Sequence, residues 1–413
     1  GELPADGEAL HMGVASCATS QCHGSAVPRD GSNVLQNEYV TWTRDDPHSR
    51  AYETLSSPAS RAIANRLGLA SATTADICLD CHADNVPADR RGPKFQLSDG
   101  VGCEACHGGA EHWLSSHDNA PAVDHAANLD AGLYPTEDPE ARGELCLSCH
   151  LGTADKFATH RIMAAGHPRL TFELDTFTEL WRTAGRQPHY RVDADYVERK
   201  NDASHVVTWA TGVITEATQR MRLVNSRRFT TGSMFPELGL YDCHACHRSM
   251  KTVLWRRLPR HGNAGPGVPF LNDGALVMAL ALARAVNPEL APTLENALVE
   301  LHVAGSSDIE RIRRAATNLD RLLLRLGNSF DDDALERSQR RLLREILALG
   351  ANGNFIDYVS AEQAFMAVQM LAFELGDPDL TERLDPLGDA LDDDERYRPA
   401  TFARLLADLD TSE

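Results

Sequence analysis

The chain has 413 residues, 42% hydrophobic but only 6% aromatic, and its 60 acidic against 40 basic residues give a formal charge of −20. That balance argues against a nucleic-acid backbone or an anionic lipid surface as main partner, and no apolar run approaches the roughly eighteen residues of a membrane span. Length favours two or three domains, and so few aromatics supply a conventional core poorly, whereas ten cysteines and 17 histidines are many for this length.

In chain order the cysteines form five pairs, each followed at once by histidine. They are Cys17/Cys22 with His23, Cys78/Cys81 with His82, Cys103/Cys106 with His107, Cys146/Cys149 with His150, and Cys243/Cys246 with His247. Four pairs read C-x-x-C-H and the first is the longer C-x-x-x-x-C-H. With 17 histidines in 413 residues, a histidine after all five by chance has a probability on the order of 10⁻⁷, so it belongs to the motif, as covalent haem attachment requires. Two thiols one helical turn apart can bond the two vinyl groups of one haem, and the adjacent histidine becomes the proximal iron ligand. Zinc would need pairs of pairs and has no use for the histidines, and a disulfide framework leaves them unexplained. The expected cofactors are five c-type haems. Covalent attachment takes place outside the cytoplasm, so the expectation is an exported chain, periplasmic or extracellular, whose signal segment is absent from the mature form.

Between the motifs the pattern predicts short helical pieces at residues 37–55, 58–69 and about 204–224. In the first, Asp46 can cap, Pro47 suits the first helical position, and His48, Tyr52 and Leu55 share a face. The stretch 261–269, with three glycines and two prolines, reads as a joint. Beyond it the pattern turns helical: Ile309, Ile312, Ala316, Leu319, Leu323 and Leu326 recur at threes and fours behind a Ser307/Glu310 capping box. Ser360 and Gln363 repeat that signature ahead of Phe365, Met366, Met370 and Phe373, and Gly376 followed by Asp377-Pro378 stops the helix. Residues 271–413 carry 27 acids, 14 arginines and no lysine. The expected class is mostly α, a loop-rich multihaem cytochrome c domain over residues 1–262 followed by an all-α helical bundle over 270–413. His302 reads there as a surface or core histidine and the methionines as core.

Five proximal histidines leave twelve to close the coordination. Position favours His48, His117, His160, His167 and His205 as distal ligands, with His11, His112, His189 and His244 as the alternatives.

The segments CATSQCHGS, NEYVTWTRDDPHSRAYETL, GVGCEACHGGAEHWLSSH, CLSCHLGTADKFATHRIMAAGHPRLTFEL and PELGLYDCHACH, in that order over about 260 residues, resemble the cytochrome c-554 family of multihaem cytochromes. The resemblance implies a mostly helical, loop-rich fold, closely packed haems in stacked and perpendicular pairs, and periplasmic electron transfer. It implies ligand roles for His48 and His117 and favours His117 over His112. The tetrahaem namesake has one haem fewer, lacks a tail like residues 270–413, and contains one haem without a distal protein ligand. The fifth haem, the tail and full bis-histidine ligation are therefore not inherited. The sequence thus points to an electron-transfer cytochrome with no catalytic residue, redox proteins of basic surface as partners, and a tail for docking or homo-oligomerisation. The alternatives are a multihaem oxidoreductase with one open iron acting on a small nitrogen or sulfur compound, and a subunit of an extracellular haem filament.

Overall fold

In the computed structural model of the chain, residues 2–32, 34–118, 125–183, 190–230, 236–247, 257–265, 267–305 and 308–409 are described. The protein is mostly α. Among the described residues there is no strand; His11 with Arg91 and Tyr241 with Leu271 form isolated bridges. Two compact units emerge, one of Gly1–Thr171 with Phe177–Ala203, the other of Phe172–Thr176 with Ser204–Glu413. The first four cysteine pairs lie in the first unit and the fifth in the second.

In the first unit helices are short because the sequence keeps stopping them. Helix Glu38–Asp45 gives way at Asp46, whose extended backbone and side chain then cap the turn Pro47–Arg50 by accepting from His48 N at 2.9 Å. The expected 37–55 helix is therefore three consecutive pieces, Ala51–Thr54 being the last. Ser57 caps Pro58–Leu67, which ends at Gly68 in the left-handed conformation, and Asp138 caps Pro139–His150 with proline at the first position. The apolar cluster among these pieces is small: Leu55, Ala64, Ala72, Leu79 and Ala83, with Tyr52, Leu69, Cys78 and Leu97 against it. Buried polar knots do much of the joining. Glu104 accepts from the backbone N–H groups of Met12 and Gly13, each at 2.6 Å, and of Ala110 at 2.8 Å. His11, fully buried, donates from Nδ1 to Asp84 at 2.7 Å.

The second unit is a conventional helical packing. Helix His205–Asn225 lies along Ile309–Gly327 and against Gly274–Val286, whose residues are buried on nearly every side, as befits a helix apolar all round. Leu319, Leu323 and Leu326 are fully buried as their spacing predicts, each contributing about 1.5–3 kcal/mol. Met366 and Met370 are core, but Phe373 is exposed. The helix starts also differ from expectation. Asp308 caps Ile309–Gly327, accepting from Arg311 N at 2.8 Å, and Ser307 lies outside the described residues. Asp357 caps Tyr358–Glu374, accepting from Ser360 N at 2.7 Å, so Ser360 sits buried inside the helix. An aspartate carboxylate reaches the exposed amide as well as a serine hydroxyl does, and complements the helix dipole besides.

The stretch expected as a joint belongs to this unit. His261 stacks on Phe270 with ring centroids 3.7 Å apart, and Arg260 is buried, donating to Asp273 at 2.7 Å and to the Asn354 carbonyl at 2.6 Å. Gly262 has positive φ and meets Val303 where a Cβ would stand. Gly262 serves a tight turn, Gly265 and Gly267 have open space where a Cβ would stand, and the division between units falls at Ala203/Ser204 instead, with Phe172–Thr176 also in the second unit.

Candidate haem centres

The short motifs occupy helical turns: Cys78, Cys81 and His82 in Asp76–His82, Cys103, Cys106 and His107 in Cys103–His107, and Cys146, Cys149 and His150 at the end of Pro139–His150. Cys243 and Cys246 lie in Cys243–Cys246, with His247 just beyond. Cysteines at i and i+3 share a helix face, with the histidine one position on. Cys22 departs from the expected placement of two thiols one helical turn apart. It lies half-buried in a turn outside any helix, its N–H donating to the Thr19 carbonyl at 3.0 Å. The reason is the spacing: five residues of helix would rotate Cys22 about 140° away from Cys17, so the two extra residues loop out instead. His23 N then donates back to the Cys17 carbonyl at 3.1 Å, which closes the loop. Among the described residues no disulfide joins the cysteines, Cys22 included.

The motifs also meet one another. Cys17 and Cys103 lie close enough to perturb each other electrostatically, as do Cys81 and Cys149. Lys156 reaches the second pair, with Nζ 3.2 Å from Cys149 Sγ. Burial pushes the Cys146 thiol up to about 11. Groups attached at neighbouring motifs are thus held close together.

Three pairs of imidazole rings face each other. The centroids of His23 and His117 are 5.9 Å apart with planes at 14°, those of His48 and His150 6.1 Å apart at 89°, and those of His82 and His167 6.4 Å apart at 80°. Two imidazoles bound to opposite faces of one metal, at about 2 Å per bond with the ring centre roughly one ångström further out, have centroids about 6 Å apart. Each pair joins a motif histidine to a histidine expected as distal, at the centroid spacing that two imidazole ligands of one metal would have.

Hydrogen bonding sorts the histidines a second way. A ligand histidine donates its remaining ring N–H to a carboxylate or carbonyl, which fixes the ring and leaves the other nitrogen for the metal. His23 Nδ1 donates to Glu38 at 2.8 Å, His48 Nδ1 to Asp46 at 2.9 Å, His82 Nδ1 to the Ala51 carbonyl at 3.1 Å, and His167 Nδ1 to the Pro168 carbonyl at 2.8 Å. His205 Nδ1 donates to Asp175 at 2.9 Å, with Phe373 edge-on beside the ring at 5.0 Å. In each of these rings Nδ1 is the nitrogen so engaged. The rings respond accordingly: hydrogen bonds to Glu38 and Asp46 raise His23 and His48 above the usual histidine range, while burial lowers His82.

The alternatives are arranged otherwise. His11 uses Nδ1 on Asp84 and Nε2 on the Pro4 carbonyl, His112 is mostly exposed beside Glu111, and His244 directs Nε2 toward Asp394 at 3.4 Å. His189 lies outside the described residues. His160 opens helix His160–Ala164, but the ring opposite His82 is His167, placed by the end of that helix at Gly166. Two clusters escaped the sequence reading. His125 pairs through Nε2 with Glu137. His261, Asp273 and His302 bring one potential ligand atom each within 4.8 Å, but Arg260 already holds the Asp273 oxygen that His302 shares at 3.0 Å. A guanidinium there opposes a cation, and the cluster is a buried ion pair with histidine support. The backing carboxylates Glu38 and Asp175 were also missed; only contact across the fold reveals them.

Residues 16–108 match the family model described as "Cytochrome c554 and c-prime". This segment is cytochrome c554-like. It holds the first three motifs and His48, and the match supports a c-type haem cofactor and electron transfer for this segment. The match spans less than a quarter of the chain, and no curated protein and no solved structure matches it. The fourth and fifth motifs rest on their own spacing. Among the described residues, no helix is long and apolar enough to cross a membrane.

Proposed function

We propose that the chain is an exported pentahaem c-type cytochrome, periplasmic or extracellular, that passes single electrons along its haems. The observation that carries this reading is the set of three facing imidazole pairs, each one motif histidine and one distant histidine at the spacing an iron needs. Each haem supplies a one-electron iron couple when bound. The cysteine pairs hold it covalently, Cys22 doing so from its turn rather than from a helix, and His23, His82, His107, His150 and His247 serve as proximal ligands. His117, His167 and His48 close the first, second and fourth sites, and His205, held through Nδ1 by Asp175, is a further candidate; His160 stays a candidate on position alone. Rings on both faces leave no iron position for a substrate at those three sites, which favours a carrier over an enzyme there. The proximity of Cys17 to Cys103 and of Cys81 to Cys149 supports haems close enough for rapid transfer. The acidic surface suits basic redox partners, and the helical region is a place for docking or self-association.

The holoprotein, expressed with a c-type maturation system, provides the test. Five covalent haems per chain with predominantly low-spin ferric resonances are expected. Fewer than five refutes the haem count, and a substantial high-spin signal moves the reading to an oxidoreductase with an open iron at the third or fifth site.

A further inference from the structure

Resting on that reading, we infer that the iron between His82 and His167 is the most easily reduced of the three paired sites in the first unit, because both of its rings are backed by neutral peptide carbonyls. At the other two sites a carboxylate backs one ring. Glu38 is aimed at His23: its Oε1 accepts from Leu35 N and Gln36 N at 2.8 and 3.0 Å, which fixes Oε2 on His23 Nδ1 at 2.8 Å. Asp46 is buried, and one of its oxygens accepts both His48 N and His48 Nδ1 at 2.9 Å. A ring that donates to a carboxylate gains imidazolate character and a more basic Nε2, and a more basic ligand favours ferric over ferrous iron.

Among the described residues, the His82 and His167 rings donate to the carbonyls of Ala51 and Pro168. The carboxylates nearest in sequence to His82 are engaged elsewhere: Asp84 accepts from His11 at 2.7 Å, and Asp80 from Asn85 at 2.7 Å. The outcome is a chain of paired sites in which electrons collect at the second motif, the first and fourth being the stronger reductants.

The ring planes supply a spectroscopic label. Near-parallel imidazoles, as in His23 and His117 at 14°, split the iron orbitals that face them and give a rhombic ferric resonance. Perpendicular rings, at 80° and 89° for the other two pairs, leave those orbitals nearly degenerate and give a highly anisotropic one.

The test is a potentiometric titration of the full-length holoprotein followed by low-temperature paramagnetic resonance. His117→Met, His48→Met and His167→Met each alter one resonance and so assign it. The highest midpoint of the three is expected for the resonance that His167→Met alters. Glu38→Gln should raise the rhombic centre, and Asp46→Asn the centre assigned by His48→Met, each by about tenfold in the one-electron equilibrium, or about 59 mV, with unchanged g values showing intact ligation. Neither should move the top centre. A highest midpoint at the rhombic centre, a top centre that follows Asp46→Asn, or carboxylate variants that shift nothing would each overturn the inference. Failure of the underlying haem reading is distinguishable, because it appears in the unsubstituted protein as missing haem or missing low-spin resonances.

Discussion

Glu104, the second residue of CEACH, is the perturbation with the most direct structural magnitude. Its side chain is buried and accepts three backbone N–H groups, Met12 and Ala110 on Oε1 and Gly13 on Oε2. Glu104→Gln keeps the shape but can keep an acceptor at only one of those oxygens. At best the amide oxygen retains Met12 and Ala110 while the NH₂ group confronts Gly13 N–H. One charge-assisted bond, about 1.5–3 kcal/mol, is lost, and the two survivors weaken to neutral bonds. Relaxation is restricted, since Gly13 has φ +90° and a Cβ there would lie 2.3 Å from the Lys94 carbonyl oxygen; the loop is pressed from its other side. The net expectation is about 3 kcal/mol of destabilisation. Urea unfolding of the ferric holoprotein, read at the haem Soret band, checks the total. Hydrogen exchange at Met12, Gly13 and Ala110 checks the place, with acceleration of about a hundredfold where exchange follows local opening. A loss under about 0.5 kcal/mol with unchanged exchange at those amides would refute the carboxylate's role as the tie between the N-terminal loop and the third motif.

Three further outcomes are expected. His117→Ala should convert one low-spin ferric centre to high-spin while the exposed alternative His112→Ala leaves the spectrum unchanged; the reverse would contradict the ring pairing. Lys156→Gln, which removes an ammonium 3.2 Å from Cys149 Sγ, should lower the midpoint of the fourth centre by roughly 2 kcal/mol per electron, for a charge about 8 Å from the iron at an effective dielectric near 20; an unchanged midpoint in potentiometry would contradict it. The second unit should lose stability as pH rises between about 4.5 and 6.5. Burial holds His261 down to about 3, so the unfolded chain binds its proton first and stability rises with pH, while burial raises both Asp357 and Glu173 to about 7, so the fold keeps their protons and stability falls with pH. Asp357→Asn preserves a capping residue and removes one of the two falling slopes; urea midpoints of the variant should then stay nearly flat up to about 6.5, and a profile that still falls would show that His261 is not held neutral.

How much of this was legible in the sequence depends on whether the cause is local. The five Cys-Cys-His motifs are local spacings and could be read directly, and the Asp46-Pro47-His48 turn carries its own cap and its own contact from Asp46 to the His48 ring. The helical placement of the thiols could be read only where the spacing is three; at Cys22 the longer gap leaves the helix, and its conformation is set by turn hydrogen bonds that the motif does not encode. The partner of each motif histidine is a matter of tertiary approach, and the sequence offered His160 and His167 equally; only the chain reversal after helix His160–Ala164 brings His167 rather than His160 opposite His82. Helix periodicity located Ile309–Gly327 and Tyr358–Glu374, but Ser-x-x-Glu and Ser-x-x-Gln matches drew their starts to serine when aspartates at 308 and 357 were the caps. The same periodicity put Phe373 inside, although it lies beside His205 on the exposed side. The glycines and prolines of 261–269 look alike whether they serve a loose tether or a tight turn over Arg260 and Asp273. What distinguishes the cases is the burial of a charge with its partner, which no local pattern encodes.

The acid excess takes on a different meaning once the caps are placed. Among the described residues, Asp46, Asp138, Asp193, Asp242, Asp308, Asp331, Asp357, Asp377 and Asp393 each accept a backbone N–H at the start of a helix or helical turn. A helix N-terminus carries roughly half a positive charge, so a capping aspartate at a full helix presents less than its formal charge to a distant partner. Asp357, raised to about 7, contributes still less near neutrality. The formal charge of −20 therefore overstates the long-range field, and steering of a basic redox partner should depend on the acids that cap nothing, such as Asp389, Asp392 and Glu395 near the chain's end. Reduction by a small basic donor protein should slow with rising ionic strength, and replacing Asp389 and Asp392 with asparagine should reduce that dependence, whereas Asp331→Asn, still a competent cap, should leave it nearly intact. Equal effects from capping and non-capping positions would show that formal charge alone governs the encounter.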